Sequence, residues 1–256
     1  MKTLHGKIGL ALGGGGAKGL AHIGVIRALE EKNIKINHVA GTSMGAIIGV
    51  LFCNGYSSEE IFTMFATEKT KTWFKLDVLK GGLVNLDGVK NLLVKYLKHN
   101  DFNKLKIPLK ISAVNLNSGR IKIIGKGNNL TDWVIASASV PIAFTPKIIN
   151  QQTYIDGGIL MNLPAEPLSF ICDSVIASNV VPDIKNQDID GAKAVAERVF
   201  NLSISQNIRN SKMHCDIFIE PEDINKYSMW DFNKLEEIVE LGYNEALSKL
   251  KDCNSL

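Results

Sequence analysis

At 256 residues the chain can bury one sizeable core, and a net charge of +3 is far from the basic footprint of a nucleic-acid binder. Its hydrophobic and charged fractions, 45% and 21%, are those of an ordinary globular protein. Cys53, Cys172, Cys215 and Cys253 are too scattered for a metal-ligand set and read as reduced thiols, which suits a cytoplasmic protein.

Lys2 and Lys7 precede an apolar run, but glycines 13–16 break it, so a strand and loop are expected rather than a signal peptide. Residues 7–12 (KIGLAL) predict a buried strand feeding a tight glycine loop. Leu20, Ile23, Ile26 and Leu29 recur at near-helical spacing and predict a helix over 17–32. A short strand at 38–40 then leads through G-T-S-M-G to a buried helix at 46–53. The apolar stretch 39–53 is too short to span a bilayer. Val89, Leu92, Leu93, Tyr96 and Leu97 predict an amphipathic helix. Strands are expected at 109–114, 121–124, 153–155, 174–178 and 217–219, and a final helix at 233–250. Strands alternating with helices, with no linker or repeat, imply one α/β domain over 1–256 with a largely buried sheet and helices on both faces.

Three motifs carry chemistry. The loop Gly13-Gly14-Gly15-Gly16-Ala17-Lys18-Gly19 lies between a strand and a helix, where bare backbone and helix-terminal amides can approach an anion. It contains G-x-G-x-x-G, but the place where a dinucleotide fold needs a ribose-binding carboxylate holds Val39-Ala40-Gly41. Lys18 is followed by Gly19 and Leu20, not by the Ser or Thr of a phosphate-binding P-loop. Gly41-Thr42-Ser43-Met44-Gly45 is a G-x-S-x-G at a strand-to-helix turn, where flanking glycines relieve crowding and leave the serine hydroxyl exposed. The helix after it aims N-terminal amides toward a developing oxyanion. Asp156-Gly157-Gly158 follows a strand; alone it is a turn, yet it places an unshielded carboxylate within range of a serine.

In this order the motifs resemble the patatin-like phospholipase family: G-G-G-A-K-G at 14–19, then G-T-S-M-G, then D-G-G. L-A-H-I-G-V-I after the loop, A-S-A-S-V-P at 136–141 and N-L-P-A after D-G-G are also similar. The likeness is strong over 7–180 and weak over the C-terminal helical region, 221–256. It implies a three-layer α/β/α fold with a largely parallel sheet. It also implies hydrolysis of acyl esters, of phospholipids or lysophospholipids, without a metal or other cofactor. Carried over by position, Ser43 is the nucleophile, Asp156 the proton acceptor, and the amides of Gly14, Gly15, Gly16, Ala17, Lys18 and Gly19 the oxyanion hole. Gly41 and Gly45 shape the elbow, and Gly157 and Gly158 complete the aspartate turn.

Two rival readings stand beside it. A Ser-Asp-His triad would need His214, which alone among the five histidines follows Asp156; His22 and His38 read as packed residues and His99 as solvated. A non-catalytic lipid- or partner-binding module is the other. Lys18 reads equally as loop support or as a solvated side chain. Tyr56, Trp73, Phe74 and Trp133 are candidates for an acyl pocket or for core. Finally, residues 68–110 carry ten lysines against four acids, with Trp73 and Phe74 among them, a mixture suited to peripheral contact with an anionic membrane.

Overall fold

The computed structural model describes residues 4–68, 75–77, 83–183, 190–251 and 253. Trp73, Phe74 and lysines 69, 71 and 80 of the basic segment lie outside them. The chain runs β1 (Ile8–Leu12), α1 (Ala21–Glu31), β2 (His38–Gly41), α2 (Met44–Cys53), α3 (Ser58–Thr67), a hairpin of β3 (Lys75–Asp77) and β4 (Leu83–Asn85), and α4 (Asp87–Tyr96). Then come β5 (Leu109–Asn115), β6 (Arg120–Ile124), α5 (Leu130–Ala138), β7 (Lys147–Ile149) and β8 (Gln152–Asp156). The short α6 (Gly158–Met161) and α7 (Glu166–Ser169), β9 (Ser174–Ser178), α8 (Gly191–Ser211), β10 (Ile217–Ile219) and α9 (Leu235–Lys249) complete it.

Strands β10, β9, β1, β2 and β5 lie side by side and parallel; β6, β8 and β7 extend this into a mixed eight-stranded sheet. Side-chain alternation builds two unequal faces. Leu10, Leu12, Val39 and Ile176 point into the larger core, shared with α1, α2, α3, α5 and α9. Ala11, Ala40, Val175 and Ala177 point the other way, and these mostly small residues take α7 and α8 through Leu168, Ile204 and Ile208. Three α/β/α layers result. In the larger one, α1 and α9 meet at Gly24 and Gly242, where a Cβ on Gly242 would stand 2.7 Å from the Ala21 carbonyl carbon. No helix of the described residues is long and apolar enough to cross a membrane.

Two expected boundaries move. Residues 17–32 are not one helix: a 3-10 turn, Gly16–Leu20, precedes α1. Gly16 has φ +58°, and the Ala17 amide donates to the Met229 carbonyl, so the first turn answers to a distant segment rather than to its own carbonyls. Helix α2 begins at Met44, directly after the serine. Helices α3, α5, α6, α7 and α8 and strands β3, β4 and β7 are additional elements; α3 carries a full Ser57–Glu60 capping box.

Candidate active site

Register sets the site at the carboxyl ends of the parallel strands: Leu12 pairs with both Gly41 and Ser178, so the loops after β1, β2 and β9 leave the sheet at one level. Since β1 is followed by β2 on one side and flanked by β9 on the other, this is a switch point, where open α/β sheets form their crevices. Ser43 takes φ +54° and ψ −123°, outside the regions that favour L residues. Both flanking glycines are forced by close approach. A Cβ on Gly41 would lie 2.5 Å from the Gly45 carbonyl oxygen, and one on Gly45 would lie 2.7 Å from the Gly13 carbonyl oxygen.

Asp156 arrives by an unusual route. Strand β6 pairs with β5 over 111–115, so β2, paired over 109–111, and β8, paired over 113–115, must share the other edge of β5. They run head to head along it, β2 ending at Gly41 and β8 at Asp156, with Ser112 between. The Ser112 and Thr42 hydroxyls lie 2.5 Å apart, one donating to the other, and the Met161 carbonyl, 3.2 Å from Ser112 Oγ and 3.0 Å from Thr42 Oγ1, accepts from the pair.

The A-S-A-S-V-P segment holds both ends. The Ser43 amide donates to Ser137 Oγ at 2.9 Å, and the Asp156 amide to the Ser139 carbonyl at 2.9 Å. The Asp156 carboxylate accepts from the Gly158 amide at 2.7 Å and from the Ser43 side chain. It is 2% exposed, and burial pushes its pKa up to about 7, against the lowering effect of those two hydrogen bonds.

The glycine loop closes over the pair. The Gly13, Gly14 and Ala17 amides are committed to the carbonyls of Ser178, Asn162 and Met229. Gly15 and Gly16 lie between these anchors and line the cavity with Ser43. The Gly13 carbonyl accepts from His22 Nε2 at 2.8 Å, leaving Nδ1 to accept from Ser178 Oγ, also at 2.8 Å. Burial lowers the His22 pKa to about 4, with the Gly13 bond opposing, so the ring is neutral near pH 7. Lys18 is buried rather than solvated, facing Asn225 at 3.5 Å; desolvation lowers its pKa while Asp231 partly restores it.

The cavity above Ser43 measures about 520 Å³. Its aromatic lining is Phe200, Tyr227 and Trp230, all from the C-terminal part of the chain. Tyr56 and Trp133, the described aromatic candidates, instead stack edge-on with Tyr96 and Tyr154 at 6.2 and 4.8 Å and take no part in the lining. His214 sits in a 3-10 turn after α8 and does not line the cavity, and His99 is exposed. Sequence reasoning singled out the segments that hold Ser137 and Asn162 without giving either residue a role, and it missed Asn207. The Asn207 side chain, on α8, accepts the Asn162 amide at 2.8 Å and donates to the Gly158 and Ile159 carbonyls at 2.8 and 3.2 Å. Of the described lysines in the basic segment, Lys95 pairs with Glu68, while Lys110, in β5, donates to the Pro167 carbonyl at 2.8 Å.

The chain resembles several known proteins in sequence or in fold. Lysophospholipase NTE1 of Pyricularia oryzae is 28% identical across all of this chain, which spans 19% of that relative's length. An uncharacterized NTE family protein of Mycobacterium bovis is 32% identical over 64% of this chain and 46% of its own. Among solved structures, VipD from Legionella pneumophila matches 96% of this chain and 67% of its own with a TM-score of 0.55, at 15% identity. The type III effector protein ExoU matches 97% of this chain and 53% of its own with a TM-score of 0.51, at 12% identity. Those two likenesses are of fold. The family model described as patatin-like phospholipase matches residues 10–169, well over half the chain. The chain belongs to the patatin-like phospholipase family.

Proposed function

We propose that the protein hydrolyses lipid acyl esters, of phospholipids or lysophospholipids, through an acyl-enzyme on Ser43 with Asp156 as its proton acceptor. The observation that carries this is a buried carboxylate hydrogen-bonded to a serine on a strained elbow, beside a glycine loop and under a cavity. Membership of the family and likeness to relatives named lysophospholipases support the lipid ester as substrate. The C-terminal segment supplies Met229 and Trp230 to the cavity, which supports reading 1–256 as one catalytic unit.

Asp156 takes the Ser43 hydroxyl proton as the oxygen attacks the ester carbonyl. The tetrahedral oxyanion is met by the Gly15 and Gly16 amides, each such donor typically worth about 3 kcal/mol. Collapse expels the alcohol, which leaves with the proton from Asp156. Asp156 then deprotonates the water that attacks the acyl-enzyme and returns that proton to Ser43 Oγ as the fatty acid leaves. A carboxylate titrating at about 7 is a far better base for an alcohol than an ordinary one near 4.

The test is labelling by a fluorophosphonate together with turnover of p-nitrophenyl esters. Both should vanish in Ser43→Ala and persist in His214→Ala. Near-normal turnover by Ser43→Ala would reduce the serine to a turn residue.

A further inference from the structure

Large apolar side chains gather where the Ser43 cavity opens. Helix α8 turns Arg198, Asn201 and Ser205 into the cavity and Ile204 and Ile208 into the core. At 100° per residue, Val195, Val199 and Leu202 share one stripe on its outer side, each at least half exposed. The stripe is about 10 Å long and stops there: farther along, the same outer side carries Gln206, Arg209 and Asn210. The stripe is interleaved along the helix with Arg198 and Asn201, which line the cavity.

Two other segments bordering the cavity also expose large apolar side chains. Trp230 lines it, is 47% exposed, and stacks edge-on against Phe144 at 5.8 Å. Val140 lines it too, and two residues on Ile142 is 57% exposed with φ +72°. A β-branched residue adopts that conformation only at a cost, and such strain tends to collect at working surfaces. The charged lining within is Lys18, Arg198 and Lys226, the last paired with Asp223 at 2.8 Å, against the carboxylate of Asp156.

Given the lipid-ester reading above, on which this rests, we propose that this rim is the face the protein sets against a phospholipid surface. Val195, Val199, Leu202, Ile142 and Trp230 enter the boundary between headgroups and acyl chains, and the cationic cavity receives the phosphate-bearing headgroup. An acyl ester then reaches Ser43 without crossing water. A second copy of the chain fits less well, because five half-exposed side chains fall short of the roughly 800 Å² per partner that a standard protein interface buries. This surface shares no residue with the basic 68–110 segment, whose described lysines lie in β3, α4, the turns after it and β5.

The experiment is co-sedimentation of Ser43→Ala protein with phosphatidylcholine and phosphatidylcholine–phosphatidylserine vesicles, with and without Val199→Glu/Leu202→Glu. The glutamates should lower the bound-to-free ratio about tenfold or more, and the milder Val199→Ser/Leu202→Ser pair should lower it in the same direction. In the Ser43 background, turnover of a soluble short-chain ester should stay within about twofold of the parent, since neither residue touches the cavity. Unchanged vesicle binding would overturn the proposal, as would failure of the Ser43→Ala protein to bind any vesicle. So would binding lost only on Lys90→Glu/Lys98→Glu, or an ultracentrifugally observed dimer that the glutamates dissociate. Vesicle binding needs no turnover, so an inactive parent protein would refute the hydrolase reading separately.

Discussion

Asp156→Asn tests whether the buried carboxylate strains the fold. The folded-state pKa of about 7 exceeds the ordinary 3.8, so the folded protein holds the proton more tightly than the unfolded chain does. The stabilising effect of that proton is full below pH 3.8, declines as pH rises, and is gone above about 7. The interval from 3.8 to about 7 is roughly three pH units; at 1.36 kcal/mol each it amounts to about 4 kcal/mol. Asparagine keeps an acceptor for the Gly158 amide and never ionises, so it escapes this loss. Urea unfolding of parent and Asp156→Asn at pH 4.5 and pH 8 reads the double difference, in which all other titrating groups cancel. The variant should gain on the parent by a few kcal/mol between the two pH values while losing activity by about 10⁴-fold. The parent's kcat/KM should rise with pH and level off above about 7, as Asp156 ionises. A stability gap that is the same at both pH values would refute the claim that this carboxylate is forced to ionise in a dry site.

Asn207→Ala removes the side chain that ties α8 to the Gly158 and Ile159 carbonyls and to the Asn162 amide. At about 1 kcal/mol per hydrogen bond it should cost a few kcal/mol in urea unfolding, with kcat falling more than KM rises. Gly45→Ala presses a methyl group against the Leu12 and Gly13 carbonyls and should cost about 1–3 kcal/mol, with a sharp loss of fluorophosphonate labelling as the elbow is displaced.

The sequence is most readable where one chemistry dominates. Residues 174–178 and 217–219 are short apolar runs, and both are strands with those bounds. Helix α8 escaped notice because Val195, Val199 and Leu202 face outward, which spoils the periodicity by which a buried helix face is recognised. Helix α3 was readable in principle, since Ser57 and Glu60 spell a capping box. In the site, Ser43 and Asp156 stood out because each sits in a short motif at the end of a strand, and the fold brings them together. The amides of the glycine loop could not be told apart from sequence. Which of them are occupied depends on Ser178, Asn162 and Met229, up to about two hundred residues away. The aromatic lining had no local signal either: Trp133 and Trp230 differ in what the tertiary structure stacks against them.

The tandem seating of β2 and β8 on β5 has a consequence for how the two acidic-and-hydroxyl partners can vary. Their separation is measured by a single strand: Gly41 stands opposite residue 111 and Asp156 opposite residue 113. Strand β5 therefore acts as a ruler whose smallest division is one residue, about 3.4 Å. A slip of β8 by one division would turn Asp156 to the opposite side of the sheet as well as displacing it. Length changes in the turn between β5 and β6, or in the connection from β6 to α5, leave that ruler untouched. The geometry on which proton transfer depends is thus quantised by backbone pairing and insulated from the loops around it.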